Sequence, residues 1–294
     1  MIELINISKE YSSLKAVDDL NIQVQPGRIC GFLGPNGAGK TTTIRMLMNI
    51  IQPDTGEIMF DGSNQRPESV NFGYLPEERG LYQKISVSET LQYFAHLRNV
   101  PDSHARMMDM LKSFELEARL HSKVSELSKG NQQKLQFINT VLHDPDYIIL
   151  DEPFSGLDPV NQLVLKEILE AKKQEGKTII FSSHQMDQVE KICDDVVLIN
   201  KGQLILSGDL RSIKREHGKT HLLVVPEDPA DLDHPILSSF AAEIREESAY
   251  IALNGENTQK LIAKINEEIH LRTIKVDEPG LEDIFIKLVQ GAAS

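Results

Sequence analysis

The residues with the plainest chemistry form one run, Gly34-Pro35-Asn36-Gly37-Ala38-Gly39-Lys40-Thr41, continued by Thr42. Two glycines flanking a four-residue spacer, then a lysine and a hydroxyl, suit a loop whose backbone N–H groups turn inward around a phosphate. A helix starting at Lys40 would add the partial positive charge of its N-terminus. Lys40 would reach the β- and γ-phosphates of a nucleotide, and the Thr41 hydroxyl would take a place on Mg2+. At average residue usage, a chance match in a chain of this length has a probability of roughly one per cent. The bland alternative is a glycine-rich turn between strand and helix. A second run, Tyr147-Ile-Ile-Leu-Asp151-Glu152, ends four apolar residues in two carboxylates. Asp151 would hold Mg2+ directly or through water, and Glu152 would polarise a water for attack on the γ-phosphate.

Such groups need rigid elements to aim them. Ile29–Leu33, Ile148–Leu150, Thr178–Ser182 and Val196–Ile199 read as buried strands. Lys40–Ile51 and Asn161–Glu175 read as helices, the latter stopped by Gly176. Their alternation predicts an α/β layer with a largely parallel sheet. Residues 85–143 break the alternation with helical apolar spacing throughout, which predicts a helical insertion. A polar stretch ending in Gly218 marks a boundary, giving units 1–218 and 219–294. The second offers strands at His221–Val225, Tyr250–Leu253 and Leu271–Val276 and helices at Asn257–Ile269 and Leu281–Val289, a small α+β domain.

The 294 residues carry a net charge of −13, and the last 76 hold about half of it, −7. An acidic chain is repelled by a phosphate backbone, which argues against a nucleic-acid partner. No run approaches the roughly 18 apolar residues that span a bilayer. The start of the chain lacks the apolar core of a signal peptide. Cys30 and Cys193 sit in apolar surroundings without ligand spacing, which suits a reducing compartment. The expectation is a soluble, intracellular protein.

Further motifs follow in order. Leu127-Ser128-Lys129-Gly130-Asn131-Gln-Gln-Lys134 opens a helix, Ser155-Gly-Leu-Asp158 follows Glu152, and Ser182-Ser-His184 ends the next strand. Tyr11 precedes the phosphate loop. Taken singly, Tyr11 reads as a strand-edge aromatic, His184 as a structural histidine and Ser128 as a helix N-cap. As an ordered set spanning nearly all of residues 1–215, they resemble the ATP-binding-cassette (ABC) ATPases. The resemblance implies a P-loop NTPase cassette with a mainly parallel sheet, antiparallel strands and a helical subdomain. It also implies ATP and Mg2+ as ligands and a head-to-tail homodimer around ATP. Ser128, Lys129, Gly130 and Asn131 would then form a signature that meets the γ-phosphate held by the opposite chain. His184 would contact that phosphate, Asp158 would cross the dimer seam, and Tyr11 would stack on adenine. The implied partner is a separate integral-membrane permease, which would hold the chain at the inner face of the cell membrane.

Two departures stand out. The family signature is usually Leu-Ser-Gly-Gly-Gln, whereas Lys129 and Asn131 replace its third and fifth residues; Lys129 could point outward or add charge at the seam. The loop that usually supplies a glutamine near Mg2+ reads Gly73-Tyr-Leu-Pro-Glu77-Glu78-Arg-Gly-Leu-Tyr82, with Glu77 at that place and Gln83 as a rival. A carboxylate can coordinate Mg2+ but cannot donate a hydrogen bond as an amide does. LPEERGLY, LSKGNQQK, LDEPFSGLDP and a tail ending LEDIFIKLV together resemble the ATP-binding subunits of sodium-efflux (Nat-type) exporters, with antibiotic exporters close behind. The leading expectation is therefore an exporter's motor ATPase, for sodium or for a drug. A soluble cassette ATPase acting on ribosomes or DNA is the alternative of another class. A small-molecule kinase would leave Ser128, Asp158 and His184 without roles. The acidic tail would support the dimer, sense the permease, or serve only as a stabilising appendage.

Overall fold

Strands that are apolar along their whole length are buried on both faces, and here they build the central sheet. A computed structural model describes residues 1–12, 14–63, 70–78, 80–217, 221–253, 258–277 and 280–291. The chain divides into two units, Met1–Leu210 and Arg211–Ser294. In the first, the strands are β1 (Ile2–Tyr11), β2 (Leu14–Val24), β3 (Ile29–Leu33), β4 (Thr55–Phe60), β5 (Phe72–Leu75), β6 (Tyr147–Asp151), β7 (Thr178–Ser183), β8 (Asp195–Asn200) and β9 (Gln203–Asp209). The helices are α1 (Lys40–Leu47), α2 (Val87–Leu97), α3 (Ser103–Ser113), α4 (Lys129–Val141), α5 (Pro159–Gln174) and α6 (Met186–Glu190).

The central sheet runs β5-β6-β7-β3-β8-β9, parallel except for the hairpin pair β8–β9. Every residue of β3, β6 and β7 is buried. A second sheet, β2-β1-β4, is antiparallel. Its strands escaped the sequence reading because their alternation is broken: register slips follow Leu4, Ile7 and Lys9, and Asn6 and Asp19 take positive φ. One core joins both sheets and α1. At its edge Phe60, Phe72 and Tyr147 meet ring to ring at 5.1–5.7 Å, and the Tyr147 hydroxyl donates to Asp61 at 2.7 Å.

The segment 85–143 is helical, with α2 and α3 followed by two short 3-10 turns and then α4. Ser86 and Glu89 start α2 with a reciprocal capping box. Two helix ends differ from expectation. The helix from Lys40 stops at Leu47 rather than Ile51, because Asn49 turns left-handed (φ 54) and ends the ladder. The helix expected from Asn161 starts at Pro159, with Asp158 as its N-cap accepting from the Asn161 N–H at 3.0 Å. Cys30 and Cys193 are buried, and burial pushes both thiols up.

The polar stretch before Gly218 forms α7 (Leu210–His217), and the unit division falls at its first residue. The second unit contains β10 (His221–Pro226), α8 (Pro235–Ser239), β11 (Glu243–Arg245), β12 (Ser248–Ala252), α9 (Thr258–Glu268), β13 (Leu271–Asp277) and α10 (Leu281–Gly291). Asn257, where the tail helix was expected to begin, lies outside the described residues. The strand order β11-β12-β10-β13, all antiparallel, is that of a split β-α-β-β-α-β unit. Leu222, Val224, Ala249 and Ile251 face Leu261, Ile265 and Ile269 in its core.

Candidate active site

The phosphate loop follows β3 and leads into α1. Two of its glycines are required by geometry. A Cβ on Gly34 (φ +151) would lie 2.2 Å from the Ile199 carbonyl oxygen, and one on Gly39 (φ +107) would lie 2.5 Å from that of Ala16. The turn between β8 and β9 laces the loop to β2: the Gly202 N–H donates to Ala38 O, and the Asp18 N–H donates to Gly202 O, both at 2.9 Å. Gly39 stands at the N-cap of α1 with no side chain to spend on the first-turn N–H groups, and no acid occupies that turn. Those N–H groups therefore remain for an anion. Lys40 is buried, and its ammonium donates to Gly34 O at 2.6 Å and Pro35 O at 3.2 Å. Burial lowers its pKa, against the upward pull of Glu152, Asp151 and Glu77. Lys40 thus faces three carboxylates, the oxygen-rich donor set that a hard divalent cation prefers.

Strand order places the carboxylates. β6 and β7 pair Asp151 with Ser182, and β7 and β3 pair Ser183 with Leu33, so both carboxylates emerge beside the loop. Asp151 is buried; its Oδ1 accepts from the Ser182 hydroxyl, while Oδ2 has no hydrogen-bond partner among the described residues. An orphaned buried carboxylate oxygen in this setting fits a hard cation such as Mg2+. Glu152 follows in the left-handed region (φ 50), and its N–H donates to Ser182 O at 3.2 Å. Its Oε1 accepts from the His184 N–H at 3.1 Å and lies 2.8 Å from His184 Nδ1.

These groups line a cleft of about 720 Å3, together with Tyr11, Leu14, Lys15, Ala16, residues 36–42, Glu77 and Lys201. Tyr11, at the end of β1, is half exposed, with the Lys9 ammonium 5.8 Å over its ring. Glu77 lines the cleft; Gln83 does not, its amide donating to Leu81 O at 3.1 Å. Leu14, Lys15, Ala16 and Lys201 were missed because only the sheet pairing brings them there; the Lys201-Gly202 turn after an apolar strand is the one local signal. Ser182 was read as strand, and its bond to Asp151 needs the strand order.

The other motif lies outside this cleft. Ser128 caps α4, accepting from the Asn131 N–H at 3.2 Å. Lys129 is exposed, and a Cβ on Gly130 would lie 3.0 Å from Gly156 O. That approach brings the Ser128 and Asp158 segments side by side. Asp158 accepts from Asn161 backbone and side chain, which holds its carboxyl below the usual range.

Residues 17–155 match the ABC transporter family model, and 208–289 match the C-terminal domain of DrrA1-3-like ATP-binding proteins. The chain is 39% identical to the ABC transporter ATP-binding protein YhaQ of Bacillus subtilis, over 98% of both. The chain belongs to the ABC transporter ATP-binding proteins. It is similar to the ABC transporter ATP-binding protein NatA of Bacillus subtilis (38%, covering 72% of this chain and 91% of NatA). It is also similar to a Nod factor export ATP-binding protein I of Burkholderia pseudomallei (33%, covering 98% and 96%). The structure of an ATP-binding subunit of an ABC transporter superposes with a TM-score of 0.69, at 32% identity, over 74% of this chain and 92% of that one. The dimeric ABC transporter cassette MJ0796 shares the fold (TM-score 0.65, 21% identity, 72% and 99% covered). As an ABC ATPase, the chain binds and hydrolyses ATP.

Proposed function

We propose that this ABC ATPase is the motor of an exporter, closing on a second copy of itself around ATP and Mg2+ and driving a separate membrane permease. The division of the site carries the reading. Lys40, Asp151, Glu152 and His184 line one cleft, while Ser128 and Gly130, at the N-terminus of the 13-residue α4, lie outside it. A helix N-terminus with an exposed hydroxyl is suited to an anion. A second copy turned head to tail would bring it to the open side of the cleft, and two copies would complete two sites. That MJ0796 was solved as a dimer supports this.

Within each site the backbone from Gly34 to Gly39 and the first turn of α1, with Thr42, hold the phosphates. Lys40 exchanges the Gly34 and Pro35 carbonyls for phosphate oxygens. Thr41, Asp151 and Glu77 hold Mg2+, which when bound neutralises phosphate charge. Glu152 polarises the attacking water, and His184, held on Glu152 Oε1, orients that water against the γ-phosphate. Tyr11 stacks on adenine. Ser128, Lys129, Gly130 and Asn131 receive the γ-phosphate of the facing copy, and Asp158 crosses the seam. The closed dimer opens after hydrolysis, and that two-state shift drives the permease.

The similarity to a Nod factor export protein supports export, and the motif resemblance to sodium-efflux subunits names Na+ as the first cargo to test. Among the described residues no helix is long and apolar enough to cross a membrane, so the permease would hold the chain at the inner face. The net charge of −13 argues against a nucleic-acid partner. The test is Glu152→Gln with ATP. Hydrolysis is expected to fall by at least about 100-fold while light scattering shows a persistent dimer. Untouched hydrolysis would remove Glu152 from its role, and a monomer would remove the homodimer. Co-purification of a multispanning chain, with ATPase stimulated by its cargo, tests the coupling.

A further inference from the structure

Helix α4 turns a stripe of polar side chains inward. Gln133, Gln136 and Thr140 are 3%, 4% and 4% exposed, at the i, i+3, i+7 spacing of one helix face. The two glutamines each spend a donor on a loop. Gln133 Nε2 donates to Pro153 O at 3.3 Å, just after Glu152. Gln136 Nε2 donates to both Pro76 O and Glu78 O, at 3.3 Å each, on either side of Glu77. The Thr140 hydroxyl donates within the helix to Gln136 O at 2.9 Å and lies 3.3 Å from Tyr74 O on the strand that leads into this loop. The helix that begins at Ser128 is thus tied to both loops that deliver Glu152 and Glu77 to the cleft.

Gln136 is the unusual member. Its Oε1 is buried without a hydrogen-bond partner among the described residues, so the side chain carries a desolvation penalty that a methionine of similar volume would avoid. Packing alone does not call for an amide here. What the amide supplies is one donor group bridging the two carbonyls that flank Glu77. Glu77 is itself exposed and lies on a loop, so its own packing fixes it little.

We propose that Gln136 is a positioning residue for the metal site: its amide clamps the loop on both sides of Glu77 and so sets where that carboxylate stands in the nucleotide cleft. The proposal rests on the reading of Glu77 as a metal ligand given above. A group that orients a ligand in this way typically costs about tenfold or more in metal affinity when removed.

The test compares Gln136→Met, Glu77→Ala and the double variant in the full chain, with Gln136→Leu as a second apolar replacement. Mg2+ is titrated calorimetrically into protein saturated with a non-hydrolysed ATP analogue, and thermal midpoints are recorded alongside. Gln136→Met is expected to weaken Mg2+ binding about tenfold, the thermal midpoint showing that the variant is folded. In the double variant, Mg2+ binding should be no weaker than in Glu77→Ala alone, because the clamp acts through Glu77. If Glu77→Ala weakens Mg2+ binding while both Gln136 variants bind it within twofold of wild type, the clamp is overturned and the Glu77 reading stands. If Glu77→Ala itself leaves Mg2+ binding unchanged, the Glu77 reading falls and the clamp with it. Additive losses in the double variant would also overturn the proposal.

Discussion

Ser182→Ala removes one hydroxyl from the centre of the sheet, and the structure sets what that should cost. Ser182 is fully buried, and its hydroxyl is the one hydrogen-bond donor to the Asp151 carboxylate among the described residues. Because Oδ2 is already without a partner, the variant leaves the whole carboxylate buried and undonated. A hydrogen bond to a charged group is worth about 1.5–3 kcal/mol. In a folding unit of this size each kcal/mol moves the midpoint by about 2–4 °C, so the first unit should melt about 3–12 °C lower. The chain has no tryptophan, so calorimetry or far-ultraviolet circular dichroism is the suitable probe. Mg2+ binding in the presence of an ATP analogue should weaken as well, because an unheld Asp151 aims Oδ2 less well. Ser183→Ala is the control. Among the described residues its hydroxyl accepts from the nearby Gln185 N–H at 3.0 Å, and its loss should cost about 1 kcal/mol or less. A Ser182→Ala protein melting within about 1 °C of wild type, with unchanged Mg2+ affinity, would refute the reasoning that Asp151 is held by this bond.

Two further outcomes follow from single contacts. Tyr11→Ala should weaken ATP binding by about 1–3 kcal/mol, roughly 5- to 150-fold in Kd, while Tyr11→Phe binds as wild type; equal losses would assign the effect to the hydroxyl and not to stacking. His143 Nε2 donates to Phe72 O at 2.8 Å, and burial, with Arg98 adding to it, lowers its pKa below 6.5 despite that bond. The unfolded chain therefore takes up the proton first as pH falls, so the stability His143 contributes is full above its ordinary value and is lost below it. Denaturant titrations at pH 7.5 and 5.5 should show a smaller acid loss in His143→Gln, which keeps a donor for Phe72 O; an equal loss would exclude His143 from that dependence.

How much of this was legible depended on whether local pattern or strand order carried the information. β3, β6, β7 and β8 are each built on a short apolar run, and their expected spans agree with the structure to within a residue at either end. The antiparallel β1 and β2 are interrupted by Asn6 and Asp19 at positive φ, so a period of two survives only in short stretches such as Leu20–Val24. The same contrast holds at the site. The phosphate loop announces itself because one short segment must satisfy several backbone demands at once, and Gly34 and Gly39 meet them where any Cβ would collide with a neighbouring carbonyl. Ser182 and Gln136 act through partners 31 residues and about 60 residues away, which no spacing rule connects. Their residue types are also ordinary for a strand end and a helix. What marks them in three dimensions is the expense of the arrangement: each is buried and polar, and each leaves an oxygen of the pair without a partner. A fold keeps such a cost where apolar replacement would lose something besides stability, and here both bonds end on the segments that deliver Asp151 and Glu77 to the same cleft.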